Sequence, residues 1–387
     1  EGEPHNVAFM KENYPSDFTY QDFAAQFTAE FFDPNYWAKV FQDSGVKYVV
    51  LTSKHHEGYT MWPSKYSWNW NAMDVGPHRD LVGEFAKAIK NNSTVKFGLY
   101  HSMYEWFNPY YLQDVANNFT TNDFVMKKTM PELYEIVERY EPEIVWSDGP
   151  HGPDWYWNST VFLSWLTTNS TVKDTVVFND RWGDEDPCTH GSFFTCGDRF
   201  NPGTLQPHKW ENAMTMDTYS WGYRRNANIM DYLTIHDILV QLISTVSCGG
   251  NMLVNIGPTK EGMLPAIMEE RLLQMGQWLS INGEAIYGSS PWKYQNDTLA
   301  PGVWYTAKGD SVYAFSLSWP TTDILTLASV IPTPQTHISM LGYDSTESLD
   351  FVEHNGHLEV HFPDMAKVSS KWVWVLQMNN VTPAPKP

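Results

Sequence analysis

The chain is predicted to be an α/β protein, a (β/α)8 TIM-like barrel followed by a C-terminal antiparallel β-sandwich. Three observations predict this. Between about residue 33 and residue 290, apolar runs of strand length alternate with helical stretches, and a span of roughly 250 residues is typical of such barrels. The strand-like runs lack polar alternation, as expected when both faces of a parallel sheet are covered. After Ser290 the pattern changes to short alternating segments broken by Pro, Gly and Asp, which suits a sandwich. The expected division is therefore a barrel domain over residues 1–290 and a sandwich over 291–387. A doubly wound sheet would also alternate, but the first turn carries no glycine fingerprint.

The elements follow in order. DPNYWAKVFQDSG, with a capping Asp and a closing Gly, predicts a helix, and VKYVVLTSKHH a buried strand. HRDLVGEFAKAIKNN is an amphipathic helix before the strand VKFGLYHS. MPELYEIVERYEP is a helix before EIVWSDG, and NSTVFLSWLTTNS a helix before TVVFND. AMTMDTYSW is a further strand, HDILVQLISTVS a helix, MLVNIGP a strand and AIMEERLLQMGQWLSING a long helix. VWYTAKGDSVYAFSLSW, ILTLASV, HISMLGY, LEVHFP and KWVWVLQM supply the sandwich strands.

Length and composition narrow the function. The 387 residues exceed what one core usually supports. Disorder is excluded by the aromatic content of 15% and a charged fraction of only 18%. The net charge of −20 repels phosphate backbones, so no nucleic-acid partner is expected. No apolar run approaches the ~18–20 residues that span a bilayer, so no membrane span is expected.

Sequons at Asn91, Asn92, Asn118, Asn158, Asn169, Asn296 and Asn380 favour the secretory route, to a lysosome or outside the cell. In that oxidising lumen Cys188 and Cys196 are expected to pair, leaving Cys248 as a small buried hydrophobe. The opening EGEPHNVAFM has no Met, basic region or apolar region, which fits removal of a signal or cleavage of a precursor.

In a barrel the chemistry lies where strands end. One strand ends in His55, His56 and Glu57, the next in Tyr100 and His101, a third in Trp146 and Asp148, and a fourth in Asn179, Asp180 and Arg181. The next connection holds Asp198, Arg199, His208, Trp210 and Glu211. HExxH spacing, a Cys ligand cluster, a nucleophile elbow and a phosphate loop are all missing, so no metal or other cofactor is expected. Carboxylates beside aromatic platforms suit a glycosidase. Structural readings stand beside these: His55–His56 as a satisfied strand end, Asp148 as a helix cap, most acids as solvated surface and most tryptophans as core.

At these residues the sequence resembles the animal α-L-fucosidases of glycoside hydrolase family 29, most closely their secreted branch. The resembling blocks are VLTSKHHEGYTMWPSKYSWNWNAMDVGPHRDLV, FGLYHSMYEWFNP, PEIVWSDG, NDRWG, PHKWENAMTMDTYSWGYRR and SCGGNMLVNIGPTKEG. The resemblance implies removal of terminal α-linked fucose from fucosylated glycans with retained stereochemistry. It matches Asp148 to the nucleophile, and His55, His56, Tyr100 and Trp146 to residues that hold the sugar. Asp198 and Glu211 are both candidates for the acid/base. Asp198 is preferred, because a Cys188–Cys196 bridge would pin it. Arg199 and Trp210 complete the expected substrate-binding set. Homo-oligomers are common among such enzymes.

Two departures stand out. Ala213 replaces a Cys that related sequences often carry two residues after the glutamate of KWE. The family's first barrel strand, an F-x-I-H-W-G block, should precede EGEPHN. A barrel without it has two unpaired edges, so the expectation is a precursor cut near residue 1, with the lost strand retained as a separate peptide. A catalytically decayed, fucose-binding scaffold is the competing expectation.

Overall fold

The computed structural model describes residues 4–385. They form two compact units. The first comprises residues 1–42, 46–196 and 258–265, less the undescribed start; the second comprises 43–45, 197–257 and 266 onward.

The first unit is built on a four-stranded parallel sheet of β1 (Tyr48–Lys54), β2 (Lys96–Ser102), β3 (Ile144–Asp148) and β4 (Val177–Phe178), in that order. The intervening helices include Leu81–Asn92, Met130–Tyr140 and Ser159–Thr168. Each starts or stops for a local reason. Asp80 caps Leu81–Asn92 by accepting the Gly83 N–H at 2.9 Å, and Glu141, at φ +50°, ends Met130–Tyr140 in the left-handed region. Their apolar faces bury Phe85, Ile89, Leu133, Ile136 and Val137. The strand predicted over TVVFND shrinks to two residues, because Asn179 takes over the pairing with its side chain. Its Oδ1 accepts the Ser147 N–H at 2.9 Å, and its Nδ2 donates to the Ser147 carbonyl at 2.8 Å.

The second unit carries a parallel pair, β5 (Trp210–Thr215) and β6 (Gly250–Asn255). The predicted strand AMTMDTYSW is thus displaced toward the N-terminus and stops at Thr215, where the chain enters a loop held by Arg224 on Asp217 and Asp231. Helix Ile235–Ser247 ends at Cys248, a fully buried thiol. The C-terminal part forms two antiparallel sheets. One runs β11 (Val330–Met340), β14 (Trp374–Pro383), β9 (Ser311–Ser316), β8 (Val303–Lys308) and β7 (Ser290–Asn296). The other runs β10 (Ile324–Leu327), β13 (His357–His361) and β12 (Phe351–His354). Tyr305, Ala314, Ile338 and Leu376 of the first sheet share one buried core with Leu327, Leu358 and Val360 of the second, which makes the pair a sandwich.

Candidate active site

Strand alternation sorts the residues of the first unit. On β2, Tyr100 and Ser102 share one face while His101 is fully buried on the other; on β3, Trp146 and Asp148 alternate with fully buried Ser147. The parallel register sets Tyr100 beside Trp146 and Ser102 beside Asp148. One end of the sheet therefore gathers the ends of β1, β2 and β3 around one carboxylate.

That carboxylate is Asp148. Its Oδ2 accepts the Tyr100 hydroxyl at 2.7 Å, and its Oδ1 accepts Arg181 Nη1 at 2.8 Å. Burial alone would push its pKa up, but the Arg181 charge and hydrogen bond, with the Tyr100 hydroxyl in support, hold it below the usual carboxylate value. It is ionised and aimed. Burial and the neighbouring carboxylate raise Tyr100 well above its usual range, so the phenol keeps the proton it donates.

His56 Nε2 lies 3.7 Å from Asp148 Oδ2. Its Nδ1 meets Ser102 Oγ at 2.7 Å, and the Ser102 hydroxyl donates onward to the Tyr104 carbonyl at 2.7 Å. Ser102 must then accept, so the network assigns the ring proton to Nδ1. Burial, reinforced by His55, takes the His56 pKa down to about 3. The imidazole is neutral, and its bare Nε2 is an acceptor for a hydroxyl. His55 stacks on Tyr100 with ring centroids 5.8 Å apart, and its Nδ1 is 3.6 Å from Glu57 Oε2. Trp146 stacks on Tyr100 at 5.5 Å, and the Arg181 guanidinium covers its ring at 4.7 Å.

Two neighbours of this group have no assigned role in the sequence-based reading. Trp106 meets both His55 and His56 edge-on and donates Nε1–H to the Tyr104 hydroxyl at 2.9 Å. Arg181 is the more consequential omission. It stands at a strand end in the sequence, and that position was the available signal.

Below the histidines lies a buried charge cluster. Lys54 donates to Glu105 and Glu132, each at 2.9 Å, Lys128 reaches Glu132 at 2.6 Å, and His101 Nε2 is 3.4 Å from Glu132. Among the described residues no group of three or more His, Cys, Asp or Glu side chains is arranged to hold a metal.

The second unit holds the remaining candidates. Asp198 sits exposed on a turn. Next to it, Arg199 donates its backbone N–H to Ala213 at 2.8 Å and Nη2–H to the Thr218 carbonyl at 3.3 Å, with its guanidinium 5.6 Å from the Trp221 ring. Glu211 is 2% exposed and lies at the start of β5. Trp210 is buried among core residues, and its Nε1 donates to the Cys248 carbonyl at 2.9 Å. The Cys188–Cys196 disulfide forms in the first unit as expected.

An ionised carboxylate gripped by an arginine and a phenol, with neutral imidazole and aromatic rings around it, belongs to the glycoside hydrolases that work through carboxylates. The comparisons with known proteins are specific. The alpha-L-fucosidase family model matches residues 1–284, and the alpha-L-fucosidase C-terminal domain model matches 295–379. An alpha-L-fucosidase of Branchiostoma floridae is 55% identical, covering 96% of this chain and 84% of that protein. The plasma alpha-L-fucosidase of Homo sapiens is 53% identical over 98% of this chain and 82% of its own length. The crystal structure of Thermotoga maritima alpha-fucosidase with a mechanism-based inhibitor aligns with a TM-score of 0.83 at 29% identity, covering 98% of this chain and 86% of that one. The chain belongs to the α-L-fucosidase family of glycoside hydrolases. Its fold class is accordingly a TIM-barrel catalytic domain with a C-terminal β-sandwich.

Proposed function

We propose that the chain is a retaining exo-α-L-fucosidase acting on fucosylated glycans, with Asp148 as nucleophile and Asp198 as general acid/base. The observation that carries this reading is the Asp148 carboxylate, kept ionised between Arg181 and Tyr100 beside the neutral acceptor His56. One Asp148 oxygen attacks the anomeric carbon while the leaving oxygen takes a proton from the acid. The covalent fucosyl-enzyme is then opened by water, which gives its proton to the same residue, now a base. His55, His56, Tyr100 and Trp146 hold and stack on the sugar. The preference for Asp198 is supported within the second unit. Arg199, its neighbour, is tied beside the C-terminal end of β5, whereas Glu211 is buried near that strand's N-terminal end, and barrels do their chemistry at C-terminal strand ends.

An aryl α-L-fucoside and a natural fucosylated oligosaccharide test both assignments. Asp148→Asn is expected to cut kcat/KM at least ~10³-fold on both substrates. Asp198→Asn should damage the natural substrate far more than the aryl one, whose leaving group needs little protonation. Retained activity in Asp148→Asn would refute the nucleophile, and the selective pattern in Glu211→Gln instead would transfer the acid/base role.

The same proposal places the catalytic segment at about 1–290 and the sandwich at 291–387. It sends the protein to a lysosome or out of the cell, supported by the disulfide and by six sequons whose asparagines are exposed, with Asn158 half-buried. No helix among the described residues is long and apolar enough to cross a membrane. β1 ends its sheet with Tyr48–Leu51 half-buried, which supports pairing with a further strand, such as a separately held peptide, and the assembly is a homo-oligomer. Native mass spectrometry of purified material tests both.

A further inference from the structure

Arg181, which grips the proposed nucleophile, is itself gripped from behind. We propose that Thr195 and Asp180 are positioning residues that hold the Arg181 guanidinium against Asp148, with the disulfide-closed segment as their frame. This rests on the reading of Asp148 as nucleophile.

Arg181 Nε donates to Thr195 Oγ1 at 3.0 Å. The Thr195 hydroxyl has one hydrogen, and it goes to Asp180 Oδ1 at 2.5 Å. Its lone pairs are thereby turned to Arg181. Asp180 also accepts the backbone N–H groups of Thr195 at 2.9 Å, Cys188 at 2.7 Å and Cys196 at 3.1 Å. Asp180 and Thr195 are both fully buried. The carboxylate therefore fixes the two half-cystines and the hydroxyl in one rigid cluster. From there the chain of contacts runs Asp180, Thr195, Arg181, Asp148. The guanidinium lies over the Trp146 ring, and the bond from Nε to Thr195 sets its rotation there. Thr195 must accept and donate at once, which a hydroxyl can do and a methyl cannot.

The groups facing Asp148 are Arg181, Tyr100 and His56, with His55, His151 and Lys54 acting on His56 in turn. If Arg181 drifts, Asp148 loses its strongest stabiliser and protonates more easily.

Thr195→Val keeps the side chain's shape and removes the hydroxyl. On the aryl fucoside it is expected to lower kcat about 10-fold, since small misplacements at a reacting centre are costly, and to move the acidic limb of kcat/KM to higher pH. Thr195→Ser, which keeps the hydroxyl, should recover most of the loss and return the acidic limb. Should Thr195→Val not fold, Thr195→Ala carries the same expectations. Wild-type kcat and acidic limb in the hydroxyl-less variant, or a serine variant as impaired as valine, would overturn the proposal. Asp148→Asn run in parallel separates the two claims. If it is inactive while Thr195→Val is unaffected, the positioning role alone fails; if it is active, the nucleophile reading fails.

Discussion

Gly149 follows the proposed nucleophile Asp148 at φ +64°, and a Cβ there would stand 2.3 Å from the Tyr104 ring and 2.9 Å from His56 Cε1. Tyr104 cannot yield freely, because its hydroxyl holds Trp106 Nε1. Alanine would add about 1–2 kcal/mol of backbone strain and displace His56 as well. Gly149→Ala is therefore expected to lower kcat/KM on the aryl fucoside by at least ~10-fold; wild-type kinetics would show that the loop adapts. The same scale shows what the sequence could reveal. Asp148, His55, His56 and Tyr100 stand at the ends of apolar runs, and that position alone marks them. Arg181 stands at such an end too, but its role depends on a rotamer reaching across the sheet to Asp148, and no residue pattern encodes that. Trp210 entered the expected substrate-binding set through the family resemblance; its indole is buried, with Nε1 donating to the Cys248 carbonyl.

Among the elements, the β1–β2 end rests on charges rather than on apolar packing. Lys54 is fully buried on Glu105 and Glu132, and Glu105 also fills the space over Gly58, just after the histidine pair. Losing the cation would leave two buried carboxylates with Lys128 alone. Lys54→Met is expected to destabilise the protein by roughly 3–5 kcal/mol, read from urea unfolding. A change under ~1 kcal/mol would mean that water or rearrangement replaces the ammonium. The strands around this cluster were legible because β1, β2 and β3 are continuous apolar runs. β4 was overestimated, because Asn179 substitutes a side chain for ladder bonds. β5 was misplaced, since WENAMT mixes polar residues into a buried strand, where Asn212 donates its Nδ2 hydrogens to Gln241 and Thr245. The sandwich strands were visible from their alternation.

For the molecule as a whole, acid sensitivity has a definite sign. His56 and His101 have pKa values lowered to about 3 by burial first, against ~6.5 in an unfolded chain. The unfolded state therefore binds more protons between those values, and stability contributed by neutral burial is lost as pH falls from ~6.5 toward 3. Asp148 and Glu132, both lowered, add stability that is present above ~4 and lost as pH falls through their folded values. Titration of the −20 net charge relieves repulsion and works the other way. The informative quantity is thus the slope of the urea midpoint between pH 7 and 4.5 in wild type against His101→Gln. The variant should be flatter; equal slopes would place no proton-linked penalty at His101.

Cys248 gives the experimenter a built-in reporter. Of the three cysteines two are bridged, so this thiol is the single one open to alkylation. Burial raises its pKa to about 11, and it lies in the second unit while the disulfide lies in the first. A pulse of thiol reagent therefore clocks exposure of this buried position in the second unit, without any engineered label.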